Sequence, residues 1–489
     1  MARVQHHIEL APDLRISRVI TGLWQIADME RDGRSLDRDA AARSMRAYTD
    51  AGFSTFDMAD HYGSAEEIAG LFGRRYAGDA APQLLTKWVP TPGASCRETV
   101  RAAVRRALER LQTDRLPLLQ YHAWNYADPG YLDDLQHLRE LQEDGLIAHL
   151  GLTNFDSAHL RVVLESGIDV VSNQVCYSLL DQRAAGEMTR LCGERGVKIL
   201  AFGTLAGGFL SERWLGAPEP APGDLRTWSQ MKYKRYIDCA GGWARFQQLL
   251  AVLAHLAQRH GVSLANVASR YILDQPAVGA VIIGARLGQS EHVDSNRRLL
   301  DVALDPEGVA LIGAALEELT PIPGDCGDEY RRPPFLTASG DLSHHLDRLA
   351  PPYPTRRGGD GRTLALSGTV WEDLAGFSRA VRRGDRIFVS GTTATHGERV
   401  IGEGDPTAQT DFVIDKIEGA LQSLGAGLED VVRTRIFVRD LADWEAVARV
   451  HGRRFAGVQP ANTLVQAALV GEGYRVEMEA DAIVGQADW

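Results

Sequence analysis

Four residues of kinds that can move a proton stand at matching places in this chain. Asp57 and Tyr62 occur in "STFDMADHYG", Lys87 in "QLLTKWV" and His122 in "LPLLQYHAW". Each segment reads as an apolar run giving way to a loop, so the ionisable groups sit at strand ends. A nearby cation favours a phenolate and lowers the phenol pKa, and a pKa moved toward the operating pH favours general acid catalysis. The expected division of labour has Lys87 acidifying Tyr62, Asp57 anchoring Lys87, and His122 donating a hydrogen bond to a carbonyl oxygen. Together they would protonate the oxyanion formed when hydride reaches a carbonyl. Singly, each has a plainer reading: Lys87 as a solvated strand end, His122 as a core histidine, and Ser64 with Glu67 as a helix capping box. Four matched types at successive strand ends favour a site.

Something must bring those ends together. From Arg18 onward, short apolar runs alternate with amphipathic stretches, the pattern of strand-helix units in a parallel sheet. Eight strands are expected, near "VITGLWQ", "STFDMA", "QLLTKWV", "LPLLQYHA", "IAHLGLTN", "VVSNQVCYS", "KILAFGT" and "GAVIIGA". Eight parallel strands with eight crossovers predict a closed TIM (β/α)8 barrel, which carries its chemistry where strands run out into loops. All four residues would then share one rim.

At 489 residues the chain is long for one core, and two domains are expected. The barrel is assigned to residues 1–325, a Pro/Gly-rich linker to 326–361, and a small α+β domain to 362–489. In the last of these, "AQTDFVIDKIEGALQSLGA" reads as a helix with Val413, Ile417, Ala420, Leu421 and Leu424 on one face. Apolar residues at 44% and charged residues at 24% indicate a packed protein. A net charge of -12 gives no electrostatic case for nucleic acid. Five scattered cysteines without C-x-x-C spacing suggest neither zinc nor disulfides, so no metal is expected and reduced, cytoplasmic thiols are. "MARVQHHIELAPDLR" lacks the apolar core of a signal peptide, and no run of about 18 apolar residues predicts a membrane span.

From about Arg15 to Leu319 the chain resembles the aldo-keto reductase family. "FDMADHYG", "LTKW", "QYHAW", "GLTNF", "SNQVCYS", "AFGTLAGGFLS" and "IIGAR" followed by "SEHVDSN" carry the likeness, in that order. The resemblance implies an NAD(P)H-dependent barrel enzyme with Asp57, Tyr62, Lys87 and His122 as its tetrad and Tyr62 as proton donor. It implies Thr153, Asn154 and Gln174 on the nicotinamide amide, and Phe202 stacked on the ring where many relatives use Tyr. Gly203 and Leu205 would lie by the pyrophosphate, Arg286 on a 2'-phosphate and Asn296 on the adenine. His292 and Ser295 stand where many relatives have Arg and Glu, so NADP(H) is expected with NAD(H) as the alternative. Trp24, Trp88 and Trp124 are expected as pocket walls, and "KYKRYIDCAGGW" as a substrate-covering loop. The partner is then a small carbonyl or imine substrate.

From about Trp371 to Val484 the chain resembles the Rid (RidA-like, YjgF) family of reactive-intermediate deaminases, through "GFSRAV", "RIFVSGTTA", "VVRTRIFVRD", "QPANTLVQ" and "VEMEA". This implies a chorismate-mutase-like α+β fold, a homotrimer, and a ligand cleft lined by Phe377 and Glu477. Asn462 occupies the position where active members carry an Arg that grips a carboxylate. An amide cannot supply that charged clamp, so assembly or binding of a different ligand is expected, with Arg379 as a replacement cation. Two other readings stand beside the reductase: a bifunctional enzyme whose second domain hydrolyses an enamine or imine and passes on the carbonyl, and a non-catalytic nucleotide sensor.

Overall fold

The computed structural model describes residues 6–78, 81–93, 95–290, 292–345 and 350–485. Part of the expected linker, residues 346–349, and both chain ends lie outside them. A hairpin opens the described chain, β1 (His7–Ala11) with β2 (Leu14–Ser17), which the apolar pattern from Arg18 onward did not include. Eight parallel strands follow: β3 (Val19–Gly22), β4 (Thr55–Asp57), β5 (Gln83–Trp88), β6 (Leu116–Tyr121), β7 (Ile147–Thr153), β8 (Ser172–Cys176), β9 (Lys198–Phe202) and β10 (Val278–Gly284). They close into a barrel when β10 pairs with β3. The eight expected strands and the closed barrel are therefore present.

Strand alternation sorts side chains into two cores. Ile20, Leu85, Leu118, Leu200, Ala280 and Ile282 fill the interior, and Leu10, Leu14 and Ile16 of the hairpin close its lower end. The other parity, including Leu84, Trp88, Leu119 and Tyr121, faces the surrounding helices. Above the apolar inner layer lie polar residues of the same parity, namely Asp57, Lys87, Gln120 and Gln174, all buried. The barrel thus has an apolar floor and a polar upper layer.

The remaining chain builds a mixed sheet ordered β11-β12-β13-β14-β19-β17-β18. Its strands are β11 (Thr355–Arg357), β12 (Arg362–Ala365), β13 (Ala380–Arg383), β14 (Arg386–Thr393), β17 (Val431–Val438), β18 (Ala461–Gln466) and β19 (Val476–Ile483), with a separate two-stranded sheet of β15 (Thr395–His396) and β16 (Arg399–Val400). A helix, Pro406–Ser423, lies across one face. Its expected apolar stripe is buried, but so are Thr410, Asp411 and Asp415. Two further neighbours account for this: the helix Trp444–Arg454, whose Arg453 and Arg454 pair with Asp411 and Asp415, packs against it, and so does the barrel helix Ser157–Glu165. Gly419 marks the closest approach, since a Cβ there would lie 2.3 Å from the Ala127 carbonyl oxygen.

Polar groups stitch this contact. His159, buried, bridges Asp156 of its own helix cap at 2.6 Å and Asp415 at 3.0 Å. The two carboxylates outweigh desolvation and raise the His159 pKa to about 9. Arg161 reaches Asp405 at 3.0 Å, and Asn125 donates to Gln422 at 3.0 Å. Residues 326–361 are not bare linker: a short helix, Asp328–Arg331, sends Arg331 to the carbonyls of Ala123 (2.6 Å) and Asn154 (2.7 Å).

The capping box does not form. Ser64 instead meets Glu30, whose Oε2 accepts the Ser64 amide at 2.8 Å, while Glu67 pairs with Arg38. A half-buried carboxylate from a distant segment outcompetes the local acceptor.

Candidate active site

The upper barrel layer meets the base of a cavity of about 1520 Å³ that runs across the strand ends. Lys87 Nζ donates to Asp57 Oδ2 at 2.6 Å and to the Met58 carbonyl at 2.8 Å. The other Asp57 oxygen accepts from Gln120 (3.1 Å) and Gln174 (2.8 Å). Such a buried ion pair survives because both carboxylate oxygens are hydrogen-bonded. Lys87 is pulled below its ordinary pKa by burial, and Asp57 opposes that pull. Tyr62 stands above, its ring 5.1 Å from Lys87 Nζ.

The direction of the Tyr62 shift departs from the sequence expectation. Burial, reinforced by Asp57, pushes the phenol well above its ordinary pKa. Tyr62 is therefore a firmly protonated donor.

His122, just past β6, is held by the carbonyl of Thr153 at 3.3 Å through Nδ1. A carbonyl only accepts, so Nδ1 carries the hydrogen and Nε2 turns a lone pair toward the cavity. Nε2 is buried without a partner. Burial first, then Arg331, depresses the imidazole well below its ordinary pKa, and it is neutral. In this tautomer His122 accepts a hydrogen bond and does not donate one to a substrate carbonyl.

Of the expected aromatic walls, Trp24 packs edge-on to Tyr62 (centroids 4.9 Å) and Trp124 edge-on to His122 (4.6 Å), and both line the cavity. Trp88 does not. It follows Lys87 on β5, so its side chain points the opposite way, into the helical layer beside Tyr121. "KYKRYIDC" forms no loop: it belongs to the helix Trp228–Cys239, capped by Thr227, whose hydroxyl accepts from the Gln230 amide. That helix covers the cavity, with Trp228 packed on Trp24 at 5.7 Å.

The other expected residues lie along the cavity. Thr153 spends its hydroxyl on the Gln174 carbonyl (3.2 Å), and Gln174 spends its amide on Asp57 and Gln120. Asn154, at φ +59°, keeps a buried Oδ1 without a partner. Phe202, Gly203, Leu205, Asn296 and Arg286 line the same cavity. Gly203 is required by close approach, since a Cβ there would lie 2.2 Å from the Tyr233 hydroxyl. Arg286 is engaged rather than free: it pairs with Asp28 Oδ2 at 2.6 Å, and Asp28 Oδ1 accepts the Trp228 amide at 3.3 Å. Asp28, Trp228, Lys232 and Tyr330 line the same cavity and were not singled out in the sequence. Only the position of "KYKRYIDC" after the seventh barrel strand hinted at any of them.

In the second sheet, Arg379 stands over the Phe377 ring (5.5 Å) and bonds Gly391 O and Thr392 Oγ1 at 3.1 and 2.8 Å. Glu477 lies near it, pushed up by burial and pulled down by Arg379. Asn462 is not brought to them. It is on β18, separated from β19 by β17, and donates to Thr434 at 2.9 Å.

A barrel whose polar residues collect at the carboxyl ends of its strands, under a long cleft, defines a (β/α)8 protein with its chemistry on that rim. Residues 18–317 match the family described as Aldo/keto reductase family, and the chain belongs to it. Residues 370–484 match the family described as Endoribonuclease L-PSP. The chain is 29% identical to aflatoxin B1 aldehyde reductase member 2 of Rattus norvegicus over 37% of its own length and 52% of that protein's. The second region is 40% identical to an uncharacterized Streptomyces coelicolor protein, over 25% of this chain and 92% of that one. The fold matches the glycerol dehydrogenase AKR11B4 from Gluconobacter oxydans (TM-score 0.55, 22% identity, 66% of this chain, 98% of that one). The chain spans about half the length of curated relatives that its barrel matches. Among the described residues, no helix is long and apolar enough to cross a membrane.

Proposed function

We propose that this protein is an NADPH-dependent reductase of small carbonyl compounds. The observation that carries this reading is the buried Lys87–Asp57 pair, 2.6 Å apart, beneath Tyr62 and His122 at the base of a cavity of about 1520 Å³. The residues present fit such a cofactor: an unpartnered Asn154 amide oxygen, the Phe202 ring, a bare Gly203 backbone, Asn296 and Arg286 all line the cleft. A bound reduced nicotinamide would supply the hydride. Asn154 and Phe202 would orient its ring, and Arg286 would take a 2'-phosphate once released from Asp28.

The chain's own residues then manage the proton. As hydride reaches the carbonyl carbon, the oxygen becomes an alkoxide, far more basic than a phenolate. Tyr62 can therefore give up its proton despite a raised pKa, and burial ensures that it still holds the proton beforehand. The O–H bond of Tyr62 breaks as the alcohol O–H forms, and the phenolate left behind gains the Lys87 ammonium as its nearest cation. His122 Nε2, an acceptor, suits the new hydroxyl or a hydrated pocket better than the substrate carbonyl. Titration with NADPH and NADH, followed by NADPH oxidation on a carbonyl panel with wild type and Tyr62→Phe, tests this. Binding with Tyr62-dependent turnover supports the reductase, and absence of both removes it.

For the second domain we propose assembly. Its helix face is occupied by the barrel, while the opposite face leaves Phe388, Val432, Val465 and Ile483 exposed. An apolar sheet face of this kind invites a second copy, and a homotrimer is the form the family resemblance implies. A monomer by light scattering would end this assignment.

A further inference from the structure

One cation in the cavity has no part in the reductase chemistry above. Lys232 sits one helical turn beyond Trp228, so both face the cavity from the Trp228–Cys239 helix. Its Nζ donates to the Tyr330 hydroxyl at 2.9 Å and lies 5.0 Å from the Phe202 ring, 4.8 Å from that of Tyr330 and 5.6 and 5.8 Å from those of Tyr233 and Tyr236. Among the described residues it makes no ion pair. The neighbouring carboxylate, Glu329, accepts from Arg183 at 2.8 Å, a guanidinium it shares with Asp181 at 2.7 Å, and it acts on Lys232 only through space. An ammonium has three hydrogens to give, and only one is placed.

The location relates this cation to the reacting centre. Tyr330 comes from the Asp328–Arg331 helix and packs edge-on to His122, with centroids 5.9 Å apart. The Tyr330 hydroxyl, having accepted from Lys232, still has its own hydrogen to donate. Two donors thus point from one wall into the end of the cavity that holds His122. Arg286, Ser295 and Asn296, the groups suited to a cofactor's far end, line the same cavity without contacting this pair.

We propose that Lys232 and Tyr330 form a carboxylate subsite, and that the substrate is a carbonyl compound bearing an acid group. This rests on the reductase reading. The substrate carboxylate would accept from Lys232 Nζ and Tyr330 Oη, while its carbonyl oxygen accepts from the Tyr62 hydroxyl. The aromatic rings and the through-space pull of Glu329 keep the ammonium charged when the subsite is empty, and an acid brings the directly bonded carboxylate that this ammonium lacks. Neutral aldehydes would bind without that contact.

The test compares carboxybenzaldehyde with its methyl ester in wild type, Lys232→Met and Lys232→Arg, and separately measures binding of benzoate against benzamide to the NADPH complex. Wild type should favour the acid over the ester by about tenfold or more in kcat/KM. The preference should fall to about one in Lys232→Met and persist in Lys232→Arg. Benzoate should bind more tightly than benzamide in wild type and Lys232→Arg but not in Lys232→Met, a readout that needs no turnover. Tyr62-dependent reduction of the ester with no preference for the acid would leave the reductase intact and overturn this subsite. So would a Lys232→Met protein that binds NADPH weakly yet keeps the acid preference, since Lys232 would then serve the cofactor.

Discussion

Asp28→Asn should tighten NADPH binding while leaving NADH binding alone. Arg286 Nη2 lies 2.6 Å from Asp28 Oδ2, with the Arg side chain 35% and the Asp 8% exposed. A hydrogen bond between charged groups is worth about 1.5–3 kcal/mol. The one-third exposure of the guanidinium discounts this toward about 1 kcal/mol. A 2'-phosphate that recruits Arg286 must displace the carboxylate, so the pair opposes NADPH by that amount, about fivefold in Kd. Asparagine keeps the volume and the oxygen that accepts the Trp228 amide at 3.3 Å, so the covering helix stays anchored. NADH lacks the phosphate and does not draw on Arg286. Titrating tryptophan fluorescence at about 0.1 M salt with both cofactors measures the effect. An unchanged NADPH Kd, or equal shifts for both cofactors, would refute the assignment of Arg286 to the phosphate.

Tyr62→Phe should lower kcat by at least about 100-fold and leave the cofactor Kd within about twofold, because the ring is kept and only the proton donor is lost; stopped-flow NADPH oxidation reads both. Lys87→Met should lose comparable activity and also destabilise the fold, since it strands the buried Asp57 carboxylate, by about 3–5 kcal/mol in denaturant unfolding. His159 has a native pKa of about 9 against an ordinary 6.5, so its bridge contributes fully below about pH 6.5 and is lost as pH rises through about 9. The contribution is on the order of 3 kcal/mol. His159→Gln should therefore be much less stable than wild type at pH 6, with the gap closing by pH 10; a gap independent of pH would show that the bridge does not titrate.

Much of the barrel was legible because eight apolar runs at regular spacing leave few alternatives to a parallel sheet. The order of ionisable residues at strand ends also placed Asp57, Tyr62, Lys87 and His122 on one rim. What the sequence hid were contacts between distant segments. Nothing local says that Glu30 will take Ser64, that Arg286 will meet Asp28, or that Tyr330, in a Pro/Gly-rich stretch, will return to the cavity. Trp88 could have been excluded by parity, since Lys87 and its neighbour cannot both face the barrel interior. The Tyr62 shift was misjudged because its sign depends on a competition between burial and charges, set by depth rather than by residue order. The helix Pro406–Ser423 showed its apolar stripe but not its further neighbours, because Thr410, Asp411 and Asp415 look like a solvated face until partners such as His159 and Arg454 arrive.

That doubly covered helix bears on how the molecule comes apart. Its inner stripe is core to the second sheet, and its outer face is core to the barrel, so neither region can melt without baring surface that belongs to the other. Domains joined by an open tether give separate calorimetric transitions. Here heat should release barrel and sheet in one endotherm, and a chain cut between them should lose cooperativity on both sides of the cut.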